Sequence, residues 1–339
     1  MRHDIGWLRG LALAGIAAAG LAGIVGSGGG DVDAPECSFF SNTCNPVVGP
    51  VPAIPAASIE PQRATVQAGA SVAFTAQTVG IDQPAYQWRR SADGGNTYVD
   101  IPGATAASHT LGSAQLADDA AVFRLDVHGS GGASAFALSR LAVSSMPGIV
   151  FQDGEFQPAG WLVAAVADPV QNGPTHSEER VASGGNPNAY RRMVHAMPAG
   201  TSSLNVFHAS QAASYDPAAL GAIHAIDYAE DCSRPSTSTF TAVTSSLLLE
   251  QGGRRYFSTA SRSCSSSAWS VAALSSLAAA DFTLVDGPAC TAGESCPDFS
   301  AGAAALRFGF GRRSVASASS AAGSIEHGID NWQVTVWRR

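Results

Sequence analysis

A serine nucleophile needs a base, an orienting acid and a sharp turn of the form Gly-x-Ser-x-Gly to present it. The chain contains no such elbow. His109, His128, His176, His195, His208, His224 and His327 are scattered, with no His-x-x-x-His spacing to hold zinc. His195, His208 and His224 fall in separate predicted strands, where histidine is ordinarily a surface or a satisfied core residue. Carboxylates pair at Glu178-Glu179 and gather at Asp227 with Glu230-Asp231. Glycoside cleavage needs two carboxylates facing each other roughly 5–9.5 Å apart; residues 226–231 read instead as a strand end followed by a polar loop. Flat aromatics offer a different chemistry, because the C–H face of a sugar stacks on a ring while polar neighbours take its hydroxyls. Candidates are Trp161, Tyr190, Tyr215, Tyr228, Tyr256 and Trp269. Tyr215 and Trp269 stand in polar or serine-rich surroundings and are the leading ligand-binding candidates, with Tyr190 third.

Six cysteines permit fifteen pairings. Order and spacing favour Cys37 with Cys44, Cys232 with Cys264 and Cys290 with Cys296. Closing the 232–264 loop is worth roughly 3.5 kcal/mol and each small loop roughly 2.5 kcal/mol. Such bonds require an oxidising compartment. Residues 1–27 agree: Arg2 and Arg9 precede an apolar run over 10–25, then small residues, as in a secretory signal. At about 16 residues the run is shorter than the roughly 20 that a spanning helix needs. The tract 21–31 resembles a bacterial lipoprotein start with Ser27 in place of the lipidated cysteine. Cleavage near Ser27 and release are expected, leaving no transmembrane segment, with a retained anchor as the alternative. The expected address is extracytoplasmic.

The 339 residues allow two domains with real cores. Charged residues are 14%, below the usual quarter, and the net charge of −8 comes with no lysine. An acidic chain with only isolated Arg pairs excludes electrostatic nucleic-acid binding. Abundant Gly, Ser and Ala suit short strands with many turns. Residues 28–56 form a Gly- and Pro-rich tether.

From 57 to 146, short alternating strands are separated by turns at Ala68-Gly69 and Asp93-Gly94-Gly95-Asn96, with Tyr86-Gln87-Trp88 between them. The segment resembles the bacterial I-set-like immunoglobulin family. By that resemblance Trp88 is the core tryptophan, the two intersheet cysteines fall at Ala76 and Leu125, and the corner tyrosine is Phe123. The disulfide is therefore missing, and aliphatic packing around Trp88 is expected to replace it.

After a short hinge at Met146-Pro147-Gly148, residues 147–339 read as about a dozen strands, with only 274–280 helical. Asp153-Gly154-Glu155-Phe156 with Trp161, Gly184-Gly185-Asn186-Pro187 before Tyr190, and the terminal Gly328-Ile329-Asp330-Asn331-Trp332 resemble secreted bacterial jelly rolls of the carbohydrate-binding-module and laminin type, concanavalin-like or galactose-binding-like. The resemblance implies that the first and last strands of this module meet. It also implies a structural calcium ion there, held by Asp153, Glu155 and Asp330; the alternative is that these aspartates cap turns. Laminarinase-like enzymes share such folds, but their Glu-x-Asp-x-x-Glu strand motif is absent. The expected fold is all-β, an immunoglobulin-like β-sandwich plus a larger jelly-roll β-sandwich. The expected function is non-catalytic binding of a glycan or cell-surface ligand by the larger module, with the smaller as spacer. A structural or adhesive envelope protein and a glycan-cleaving enzyme are the alternatives.

Overall fold

The computed structural model describes residues 53–235, 243–285, 290 and 295–339. The expected signal, most of the tether and Cys37 with Cys44 lie outside the described residues. No helix among them is long and apolar enough to cross a membrane.

The first sandwich runs through β1 (Ala56–Glu60), β2 (Arg63–Gln67), β3 (Val72–Val79), β4 (Ala85–Ser91), β5 (Val99–Asp100), β6 (Ser108–Leu111), β7 (Val122–His128) and β8 (Ser134–Ser144). One sheet has the order β1-β3-β6 and the other β2-β8-β7-β4-β5, with β2 parallel to β8. Trp88 on β4 is fully buried, opposite Leu125 on β7, and its indole N–H donates to the Ala106 carbonyl at 2.9 Å. The expected aliphatic packing is present, with Ile59, Leu125, Val127, Leu141 and Val143 in the same core as Trp88, and rings join it. Phe74 and Phe123 lie 4.6 Å apart, with Trp88 and His109 closing the cluster at 5.9 Å from each other.

The second sandwich runs through β9 (Ile149–Asp153), β10 (Trp161–Asp168), β11 (Thr175–Gly185), β12 (Asn188–Met197), β13 (Ser202–Tyr215), β14 (Ile223–Ser233) and β15 (Val243–Gln251). It continues through β16 (Arg254–Ser258), β17 (Arg262–Ser263), β18 (Ser270–Leu277), β19 (Phe282–Leu284), β20 (Leu306–Ala316) and β21 (Gly323–Arg338). The larger sheet has the order β10-β13-β20-β15-β16-β19, with β17 beside β15. The smaller has the order β11-β12-β21-β14-β18, with β9 also pairing β21.

The last strand organises the smaller sheet. Trp332, Val334 and Val336 alternate inward as their spacing predicts, and all three are buried. β21 pairs with β12 over Gly323 to Ile329, then with β9, where Trp332 faces Asp153 and Val334 faces Phe151. The first and last strands of this module therefore lie side by side. Asn331, in the left-handed region at φ 47°, marks the point where β21 changes partner.

The helix expected over 274–280 is a strand through Leu277, followed by one 3₁₀ turn, Ala279–Asp281. Ala and Leu favour helix intrinsically, but Tyr228–Leu274 and Ala229–Ala273 pairing with β14 overrides that preference. Likewise 226–231 is no strand end: β14 continues to Ser233, and Glu230 and Asp231 are buried.

The linking residues are packed rather than free. Ser144 Oγ lies within hydrogen-bond distance of the carbonyls of Met146 (2.7 Å) and Arg338 (2.6 Å), and a Cβ on Gly148 would meet Thr335 Cγ2 at 2.5 Å. Arg63 pairs with Asp281 at 2.8 Å, and Thr65 shares a buried 2.6 Å hydrogen bond with Ser276. His224 meets Asp119 at 2.8 Å. The two sandwiches belong to one compact unit, residues 53–339.

Candidate ligand-binding face

The outward side of the smaller sheet brings together two of the three ligand candidates. Tyr190 on β12 and Trp269, just before β18, are both half-buried, and their rings sit edge to face 5.3 Å apart. Gly328 lies beneath them. A Cβ there would fall 2.8 Å from Trp269 Cη2 and 3.0 Å from Tyr190 Cδ2, so the bare backbone gives the rings their seat. The Trp269 indole N–H donates to the Gly184 carbonyl at 2.8 Å, fixing the ring plane. The Cys232–Cys264 disulfide ties the segment before Trp269 to β14, and Ser233 Oγ donates to the Ser267 carbonyl at 3.0 Å. We expect Gly328→Val to lift the indole from the sheet. Hydrogen exchange at the Trp269 indole N–H, followed by NMR, should quicken at least tenfold while the core tryptophan Trp88 keeps its protection.

Polar groups flank the pair. Arg192, two residues beyond Tyr190 on the same face, bonds Glu179 at 2.8 Å and Glu326 at 2.6 Å. A cleft of about 130 Å³ opens beside them, lined by Ser177, Glu178, Glu179, Arg192 and Val194. At the other end the Gly184–Pro187 turn connects β11 to β12, with Asn186 and Asn331 donating their side-chain amides to Asp231 Oδ2 at 3.0 and 2.7 Å. Rings for a C–H face, bounded by carboxylates, amides and a guanidinium, make an arrangement suited to a hydroxylated ring.

Tyr215 does not join them. It is fully buried on the inward face of β13, and its hydroxyl donates to the Gly221 carbonyl at 2.8 Å. A strand irregularity between Ala209 and Ser214 resets the alternation, so a residue next to Asp216-Pro217 still points into the core. It offers no face to a ligand.

The three residues assigned to calcium share one corner of the fold but are committed elsewhere. Asp153 Oδ1 accepts the backbone N–H groups of Glu155 (2.8 Å) and Phe156 (2.9 Å), while Oδ2 accepts the Trp161 indole N–H at 2.7 Å. Glu155 pairs with Arg180 at 2.5 Å. Asp330 accepts N–H groups from Asn186 (2.5 Å) and Asn331 (2.7 Å), and burial, with Asp231 and Glu155 nearby, raises its carboxyl above the usual range. Among the described residues only Glu230, Cys232 and Cys264 bring three donor atoms within 4.8 Å of one another, and both cysteines are in a disulfide. As arranged, Asp153, Glu155 and Asp330 do not converge to give the six to eight oxygens of a calcium shell. The turn-capping alternative describes Asp153. Cys290 and Cys296 are also joined by a disulfide.

Sequence reasoning missed a polar layer inside this sandwich. Arg312 on β20 is fully buried and donates to both oxygens of buried Glu230 on β14, at 2.9 and 3.1 Å, and to Ser245 Oγ at 2.5 Å. Tyr228 donates to Glu230, and burial followed by the Glu230 charge holds its hydroxyl well above the ordinary range. Beside this pair lie His195, His208 and His327, all fully buried. The rings of His195 and His327 stand 4.7 Å apart, and His195 Nδ1 meets Ser314 Oγ at 2.8 Å. Burial, then neighbouring cationic groups, pushes His195 down to about 3 and the other two well below the usual value. The usable signal was phase: Arg191, Met193, His195 and Met197 on β12 alternate without a break, so the polar members share the apolar side.

No protein-family model matches the chain, and no curated protein matches it. Solved structures do. The N-terminal four Ig domains of Dscam1 isoform 4.44 match over 27% of this chain at 22% identity, with a TM-score of 0.23. Isoform 6.9 matches over 26% at 21% identity and 0.22. The match spans about a fifth of the length of those structures, 21% and 20%. A marsupial T cell receptor matches over 45% of this chain and 93% of its own, at 13% identity and 0.23. Likenesses this distant say nothing about ligand or partner.

Proposed function

We propose that this is an extracytoplasmic, non-catalytic binding protein that recognises a glycan on the outer face of its smaller C-terminal sheet. The observation that carries the reading is the Tyr190–Trp269 pair seated on Gly328, held rigid by the indole bond to Gly184 and bordered by Arg192, Glu179 and Glu326. Two aromatic rings kept half-open on the outer face of the sheet are well placed to stack on a sugar. The internal disulfides favour an oxidising address. The packed junction seats the immunoglobulin-like sandwich against the larger one as its base.

Affinity electrophoresis through native gels cast with a panel of polysaccharides tests the reading. At least one polysaccharide should retard the protein, and Trp269→Ala should weaken that binding about 30-fold, the size expected for losing an aromatic anchor. Retardation by none, with binding to other proteins instead, would favour the adhesive alternative.

A further inference from the structure

The opposite face of the same sandwich carries a second cleft, unrelated to the Tyr190–Trp269 pair. β20 alternates Phe308, Phe310, Arg312 and Ser314 inward, leaving Gly309, Gly311 and Arg313 on the outer face of the larger sheet. Gly311 presents no side chain, and the ring of Phe257 lies directly on it, occupying the place a Cβ would take. Phe207 stacks on Phe257 at 5.2 Å, fixing that ring as an apolar floor. The next row along the sheet is polar. Asn205, Arg313 and Thr244 are register partners on three adjacent strands, and Ser246 stands in register with Gly311. These side chains, with Ser261, line a cleft of about 270 Å³.

The charge of this cleft is out of keeping with the rest of the protein. No carboxylate is among its described lining residues, although the chain carries a net charge of −8. The Arg313 side chain is exposed and makes no ion pair or hydrogen bond among the described residues. Its neighbours on the same sheet, Arg255 and Arg307, are both held by Glu250. A guanidinium left open at the rim of an aromatic-floored, hydroxyl-lined cleft presents a planar fork of donors matched to a carboxylate.

We propose that this cleft binds an acidic sugar, with Arg313 on its carboxylate, Asn205, Thr244 and Ser246 on its hydroxyls, and Phe257 under its C–H face. The site is distinct from the glycan face proposed above, and the experiment separates the two. The protein is titrated with methyl β-D-glucuronide and with methyl β-D-glucoside, which differ only in the carboxylate, and binding is followed by NMR shift changes. The uronide should bind about tenfold or more tightly than the glucoside, the factor expected for one charge-assisted pair. Arg313→Gln should remove that preference, and Arg313→Lys should restore only part of it, because an ammonium lacks the bidentate fork. Trp269→Ala should leave uronide affinity unchanged. Equal affinity for the two sugars, a preference that survives Arg313→Gln, or loss of uronide binding in Trp269→Ala would each overturn the assignment.

Discussion

Lowering the pH from 7 to 5 should destabilise the described unit by about 6 kcal/mol, a large share of the roughly 5–15 kcal/mol that folded domains possess. His195, His208 and His327 are held neutral in the fold by burial, with His195 at about 3 and the other two well below the ordinary histidine value. In the unfolded chain each takes up a proton near pH 6.5. The unfolded state therefore binds more protons, and stability present above about pH 6.5 is lost as pH falls toward the folded values. Each histidine contributes about 1.4 kcal/mol per pH unit across that window, so three give about 4. Asp227 and Asp330 act in the opposite direction, since burial raises both, and their effect is confined nearer the carboxylate range. Urea midpoints at pH 7, 6 and 5 measure the slope directly. His208→Leu should reduce it by one proton, and a slope below one proton in the parent protein would contradict the buried layer.

Arg312→Met should cost about 3–5 kcal/mol, because it leaves the Glu230 carboxyl buried between two sheets without its guanidinium partner. Glu230→Leu should fall in the same range by stranding the guanidinium. Replacing both, as Arg312→Met with Glu230→Leu, should recover most of the loss, since a pair of apolar side chains carries no desolvation penalty. Chemical denaturation of the four proteins closes the cycle. Additive losses in the double variant would show that the two groups do not act as a pair.

Legibility followed strand phase. Trp332, Val334 and Val336 announced a strand, and its pairing with Phe151 came from motif order; both hold in the register of β9 with β21. Trp269 was visible as a ring in polar or serine-rich surroundings and Tyr190 only as a third candidate, and nothing in the sequence put them on one glycine. That contact depends on β12, β21 and β18 lying in the same sheet. Tyr215 misled because its neighbours Ser214 and Asp216 are polar, while its direction was decided by an irregularity in β13 that composition does not encode. Glu230 misled for a related reason: three polar residues in 227–231 suggested a loop, yet Ile226, Tyr228, Glu230 and Cys232 keep a period of two through a buried strand. Local polarity marks a loop only when the alternation stops, and here it does not. Arg313 carries no sequence signal, because whether an arginine is paired depends on what the neighbouring strands place opposite it.

The most direct measurement of the binding account is a glycan array probed with the parent protein, Tyr190→Ala and Trp269→Ala, each checked for an unchanged thermal midpoint. The account predicts a defined set of bound glycans, with signal for neutral members lost in both variants. Full binding by both folded variants would contradict it, since recognition would then lie elsewhere on the molecule.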